Sequence, residues 1–294
     1  MERLPRLTPR LPTRRQSARP FCALAAIACL TVTADCAQAA STGLSPVSNI
    51  GANALHSFTG RNAALHGAGI VSTYLLVNAD VDYRVSRYFH DHGASSIWSL
   101  PVTAGAALGP AVTISSLYLV GKGRADDELI GASYAVFQAV ALNLACVSIL
   151  KAVTGRPHPA PDAAEDLKSQ SKTFRFGFLR GGVFWGWPSG HTSTIAAMMS
   201  GLMGYYPENR WLAVGGYATI AYAVASVSAF HGGGMHWLSD GVAGALVGYA
   251  IGSTVGSHYR ALVDREKSNP SVSKRCVLPL AGRGVVGISI GMLL

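Results

Sequence analysis

The sequence predicts an all-α fold, an antiparallel bundle of about six helices largely embedded in a membrane, with room for a short β-hairpin at the C-terminus. Three observations carry that prediction. Charged residues make up 13% of the 294 residues, against about 25% in ordinary globular domains, while apolar residues make up 49%. Five runs without a single charge follow one another at 97–120, 129–150, 192–206, 211–230 and 242–255. The chain also holds 33 glycines, and small residues let apolar helices approach one another closely.

Taken in order, the chain opens on Arg3, Arg6, Arg10, Arg14, Arg15 and Arg19, opposed only by Glu2, and then an apolar stretch over 21–32. Ala37-Gln38-Ala39 supplies small residues suited to signal peptidase, so residues 1–39 read as a secretory signal peptide. An uncleaved anchor is the competing reading, since the run with its Ala-rich flank approaches spanning length. These arginines inflate the net charge of +9 and point to targeting, not to nucleic acid. Three of the five cysteines, Cys22, Cys29 and Cys36, fall in this leader; the remaining Cys146 and Cys276 suggest neither a disulfide framework nor a metal site.

Residues 40–62, rich in Ser, Gly and Asn, read as a linker. A ten-residue apolar stretch at 68–77 is too short to span. Over 80–92, Val81, Val85 and Phe89 recur at helical spacing among Asp82, Arg84, Arg87 and Asp91, the pattern of an amphipathic surface helix. His90-Asp91-His92 reads as a solvated helix end, because adjacent side chains on a helix diverge. The runs at 129–150 and 211–230 reach about 20 residues, enough to cross a hydrocarbon core. Those at 192–206 and 242–255 are marginal and lean on Gly, Ala and Ser, so a water-soluble bundle of buried helices stays open as an alternative. The helical domain is placed at 63–262 and a tail at 263–294, where Gly282-Arg283-Gly284 between apolar stretches suggests a hairpin.

Three polar clusters stand at the ends of these uncharged runs. In the first, Lys151 closes a run, and Gly155, Arg156, Pro157, His158 and Pro159 form a stiff turn able to aim Lys151 and Arg156 at one anion. The second is Pro188-Ser189-Gly190-His191 before a helical run; backbone amides at such a start, with a Ser hydroxyl and a Gly, suit an anion. In the third, His236 and Asp240 are four apart, so on a helix the carboxylate can hold one imidazole nitrogen and leave the other free. Each has a plainer reading: an interfacial lysine, a capping serine and a capping aspartate. If the runs at 192–206 and 211–230 each cross once, all three clusters meet at one mouth.

Together these residues resemble the type 2 phosphatidic acid phosphatases, a family that includes bacterial acid phosphatases and vanadium-dependent haloperoxidases. The likeness covers about 90 residues, 151–240, and three motifs: Lys, six residues, Arg-Pro; then Pro-Ser-Gly-His; then Ser-Arg, five residues, His, three residues, Asp. The resemblance implies that His236 attacks phosphorus, Asp240 orients it, and His191 protonates the leaving group and then activates water. It implies that Lys151, Ser189 and Gly190 hold the phosphoryl oxygens, with no metal or cofactor. The chain departs from the pattern at His158, where the first motif has Arg, and at Ala229-Phe230, where the third has Ser-Arg. A protonated His158, or Arg156 or Arg180, is a candidate replacement cation, and His231 adjoins the second gap. Losing a charge-assisted contact costs about 1.5–3 kcal/mol, so compensation is needed.

The expected activity is therefore metal-independent hydrolysis of a membrane lipid phosphate, such as phosphatidic acid, a polyprenyl diphosphate or lipid A, through a phosphohistidine. The alternative is a phosphate-lipid binding protein of the same fold with little turnover; a haloperoxidase is a third reading. The partners expected are the lipid and the membrane, with the site facing the periplasm of a bacterial envelope and the aromatic, basic loop 161–187 recognising lipid.

Overall fold

A computed structural model describes residues 44–92, 95–162, 166–229, 234–268, 275–282 and 285–292 of the chain. The expected signal peptide lies outside them, as do Phe230 and His231. The described helices are α1 (Ile50–His56), α2 (Arg61–Asn78), α3 (Val81–Asp91), α4 (Leu100–Arg124), α5 (Asp127–Thr154), α6 (Leu167–Ser171), α7 (Gly190–Tyr205), α8 (Arg210–Ala229) and α9 (Leu238–Ser268). Strands β1 (Arg275–Gly282) and β2 (Val285–Met292) pair antiparallel, with Gly282 opposite Val285.

Six long helices, α2, α4, α5, α7, α8 and α9, form the antiparallel bundle, and the fold is all-α as expected. Helices over Ile97–Arg124, Asp127–Thr154 and Arg210–Ala229 are long and apolar enough to cross a membrane. Their outward faces carry exposed Leu108, Val112, Leu119, Ile149, Trp211 and Val214. Water penalises such a surface and lipid does not, so the three are consistent with a membrane protein.

The centre of the bundle is the α7–α9 pair, joined through a ladder of glycines. Gly244, Gly248, Gly252 and Gly256 repeat every fourth residue of α9 and face the carbonyls of Ser189, Ser193, Ala197 and Gly201 on or beside α7. A Cβ on Gly248 would stand 2.2 Å from the Ser193 oxygen, and one on Gly256 2.1 Å from the Gly201 oxygen. Any larger residue would push the helices apart, so this ladder sets how closely the starts of α7 and α9 lie.

Three sequence expectations change. The stretch 40–62 is not a free linker from Leu44 onward: Leu44, Asn53 and Ser57 are buried, and α1 forms within it. Asn53 donates to Gln138 on α5, whose amide donates to Pro46 and Ser48 carbonyls at 3.1 Å. The ten-residue apolar stretch 68–77 belongs to the 18-residue α2, which runs the length of the bundle, from Asn62 bonded to Thr254 to Thr73 beneath Trp187. Finally, α3 buries Asp82 and Ser86, not its apolar stripe. Helix α9 runs to Ser268, and Val263 packs in the core.

Candidate active site

The mouth is assembled from the end of α5, the start of α7 and the start of α9. Lys151 sits in the last turn of α5, nearly buried. Helix α5 ends at Gly155, in the left-handed conformation, which glycine adopts without strain; a Cβ there would collide with the Arg175 carbonyl. Ser189 caps α7, its hydroxyl accepting from the Thr192 amide at 3.4 Å and its own amide donating to the Asp240 carbonyl at 2.9 Å. That second bond joins the starts of α7 and α9 directly.

His191 and His236 face each other with ring centroids 6.1 Å apart, and His158 lies 4.7 Å from His236 on another side. Gly190 lies against the Lys151 stem: a Cβ there would lie 3.5 Å from Lys151 Cε. His236 Nδ1 is 3.5 Å from Asp240 Oδ2, longer than an ordinary hydrogen bond. Among the described residues, the buried Nδ1 atoms of His191 and His236 have no hydrogen-bond partner. His236 lies in the loop before α9 and His191 at the very start of α7. Burial, then the positive charge of Lys151, lowers His191 to about 4. Burial, only partly offset by Asp240, lowers His236 to about 3. Both rings are therefore neutral at physiological pH, the form a nitrogen nucleophile requires.

Arg156 is not an open phosphate ligand. It is fully buried, and four N–H donors are taken: Nη1 by Ser239 Oγ at 2.7 Å and Asp240 Oδ1 at 2.5 Å, Nη2 by Asp82 Oδ2 at 2.7 Å and the Ser171 carbonyl at 2.6 Å. Its guanidinium also stacks over Phe174 and Trp237. The physical reason is that a buried guanidinium needs carboxylate partners, and Asp82 and Asp240 supply them. Asp82 also accepts from the Ser239 amide at 2.9 Å and hydroxyl at 2.6 Å. Through Arg156, Asp82 of α3 therefore fixes the carboxylate that addresses His236. No motif marks Asp82 for this role, since it falls among the charged residues of what reads as an amphipathic surface helix.

The other replacement cations divide. His158 joins the mouth, its Nδ1 2.7 Å from the Met235 carbonyl and its Nε2 3.0 Å from the Phe184 carbonyl. Arg180 is exposed on the loop before α7 and lines a separate groove with Arg175. No cluster of three or more His, Cys, Asp or Glu able to hold a metal occurs among the described residues.

The family model of the PAP2 superfamily matches residues 132–261, which include Lys151, the Pro188–His191 cluster, His236 and Asp240. Members of that superfamily are phosphatases acting on phosphate esters, which supports phosphatase activity at the level of the family. Asp82 reaches it from outside the matched segment. No curated protein and no solved structure matches the chain.

Proposed function

We propose that this PAP2 domain hydrolyses a membrane lipid phosphate through a phosphohistidine on His236. The observation that carries the reading is the pair of neutral imidazoles, His236 buried and His191 half-buried, facing each other beside Lys151 at a mouth where three helices begin or end. With Nδ1 directed at Asp240, the Nε2 lone pair of His236 attacks phosphorus and the bond to the leaving oxygen breaks. His191 delivers a proton to that oxygen. A water then attacks the phosphohistidine, His191 takes its proton, and inorganic phosphate leaves with His236 restored. An incoming phosphate supplies the negative charge that raises His191 toward protonation, which its surroundings oppose in the free site. Lys151, Ser189 and the Gly190 amide are placed to hold the phosphoryl oxygens, with His158 as the neighbouring fourth group.

The exposed apolar helix faces support a lipid substrate; phosphatidic acid, a polyprenyl diphosphate and lipid A share the required phosphate. The test is phosphate release from each in EDTA, with acid-labile labelling of the protein, beside His236→Ala. Release and labelling that vanish in the variant support the scheme; release that persists in the variant rules out His236 as the nucleophile.

One observation favours the binding-only reading. Arg156 is consumed by carboxylates, leaving Lys151 as the cation of the mouth with the His158 ring beside it. Saturable lipid binding without release in any assay would establish that reading.

We place the domain in a bacterial envelope with the mouth facing the periplasm. Because α2 runs from the far end of the bundle to the mouth, this orientation puts Leu44 on the cytoplasmic side if α2 crosses the bilayer. A cleaved secretory leader and a periplasmic mouth then exclude each other. Labelling of cysteines introduced at Ser48 and Arg180 with a membrane-impermeant reagent decides between them.

A further inference from the structure

The loop between α6 and α7 has two faces that the reaction scheme leaves unused. Its inner face covers Lys151 and His158 of the mouth: the Trp185 and Gly186 carbonyls accept from Lys151 Nζ, the latter at 3.3 Å, and the Phe184 carbonyl faces His158 Nε2 at 3.0 Å. Three consecutive carbonyl oxygens thus occupy positions that suit phosphate oxygens. Both ring nitrogens of His158 meet backbone carbonyls, so the loop occupies the hydrogen-bonding positions of this ring.

The outer face carries a groove of about 530 Å³ lined by Arg175, Phe176, Leu179 and Arg180. Phe176 is 64% exposed and Leu179 90%, in a loop whose neighbouring cations are otherwise committed: Lys168 and Lys172 both pair with Asp80 at 2.7 Å. Among the described residues, neither Arg175 nor Arg180 meets a carboxylate. The groove is fixed in height by two backbone bonds of 2.9 Å, from the Arg175 amide to the Thr154 carbonyl and from the Gly177 amide to the Ala152 carbonyl. Those carbonyls belong to the last turns of α5, a helix apolar enough to cross a membrane and exposing Ile149 and Val153 nearby. The groove therefore stands at the level where α5 leaves the apolar layer. Two guanidiniums beside two bulky apolar side chains at that level match a phosphate headgroup and the first methylenes of its chains.

We propose that this groove binds an anionic phospholipid of the surrounding bilayer, distinct from the substrate at the mouth, and that its occupancy shifts the stretch Phe184–Gly186, which follows the fixed groove segment, so that Lys151 and His158 are uncovered. The second half rests on the phosphatase reading above; the first does not.

The experiment uses the full chain in nanodiscs of phosphatidylcholine alone or with phosphatidylglycerol. In one arm the native cysteines are replaced by serine and an environment-sensitive fluorophore is placed at Leu179→Cys. Phosphatidylglycerol shifts its emission to the blue, and the double change Arg175→Gln and Arg180→Gln removes that shift. In the other arm, hydrolysis of a soluble phosphomonoester rises severalfold with phosphatidylglycerol, each protein being compared with its own rate in phosphatidylcholine; the double variant shows no rise. An equal blue shift in both proteins, or the same shift from soluble glycerol phosphate, overturns the lipid site. A shift without a change in rate overturns the coupling. Absence of turnover under every condition counts against the phosphatase reading alone, because the fluorescence arm needs none.

Discussion

At the far end of the bundle, Asn53, Gln138 and Tyr259 are fully buried and saturated. Gln138 is met by Asn53, Tyr259 and two backbone carbonyls; Tyr259 donates to the Ser45 carbonyl at 2.6 Å; and the Asn53 oxygen meets His258 at the edge. At the mouth most of the buried groups are charged or titratable, and His191 Nδ1, His236 Nδ1 and Arg156 Nε lack partners among the described residues. Buried polar atoms ordinarily find partners, so a neutral, closed network is one that serves folding, and open valences beside one mark a place prepared for a ligand. The Arg156 network stands between the two. It is buried and nearly saturated like the far end, yet it holds a carboxylate of the mouth. A buried ion pair adds little net stability over an apolar replacement, while removing one partner is costly, so its contribution is to fix geometry.

The largest effect that would break this contrast is at His191. Exchange for Ala should lower phosphate release on the order of 10³-fold while leaving the thermal midpoint unchanged or raised, because an unsatisfied buried nitrogen is removed. A lowered midpoint with near-normal turnover would place His191 with the far end instead. Asp82→Ala comes next: it strands Arg156 and should cost about 3–5 kcal/mol in denaturation measurements. In the surviving folded protein kcat should fall with little change in KM, since Asp240 loses its fixed position. Gln138→Ala should cost about 1–3 kcal/mol, with kcat per folded molecule unchanged, and a loss of turnover there would show that the two ends are coupled.

The smallest expected effect is a pH slope. His191 and His236 are lowered to about 4 and about 3 from 6.5, so between pH 6.5 and 4 the unfolded chain binds protons that the folded chain does not. Stability should therefore decline as pH falls through that window. His258, which burial also lowers, adds to the slope from the far end. Replacing His191 with Gln should flatten part of the slope, whereas Gln138→Ala should leave it as it is; midpoints measured at pH 4.5, 5.5 and 7 distinguish the two.

Much of the fold was legible because uncharged runs of helical length leave few alternatives. The catalytic candidates were legible for a related reason: Lys151, Ser189, His191, His236 and Asp240 are polar groups at the ends of runs otherwise free of them. Burial was harder to read. Residues 44–62 look like a linker because Asn and Ser are common in loops, yet Asn53 and Ser57 are inside, matched by Gln138 and by the helix backbone. Asp82 looks solvated because it stands among Arg84, Arg87 and Asp91 in an amphipathic surface pattern.

The sequence by itself determined a helical bundle built on uncharged runs, and three polar clusters at their ends that resemble phosphatase motifs, since hydrophobic runs and motif spacing are local properties of the chain. The tertiary structure alone decided that Arg156 binds carboxylates instead of facing the mouth, that Asp82 is their partner, and that the loop before α7 covers Lys151 and His158. Each of these joins residues far apart in sequence, and which acceptor a buried cation finds is set by what packs around it, here by the close approach of α7 and α9 along their glycine ladder.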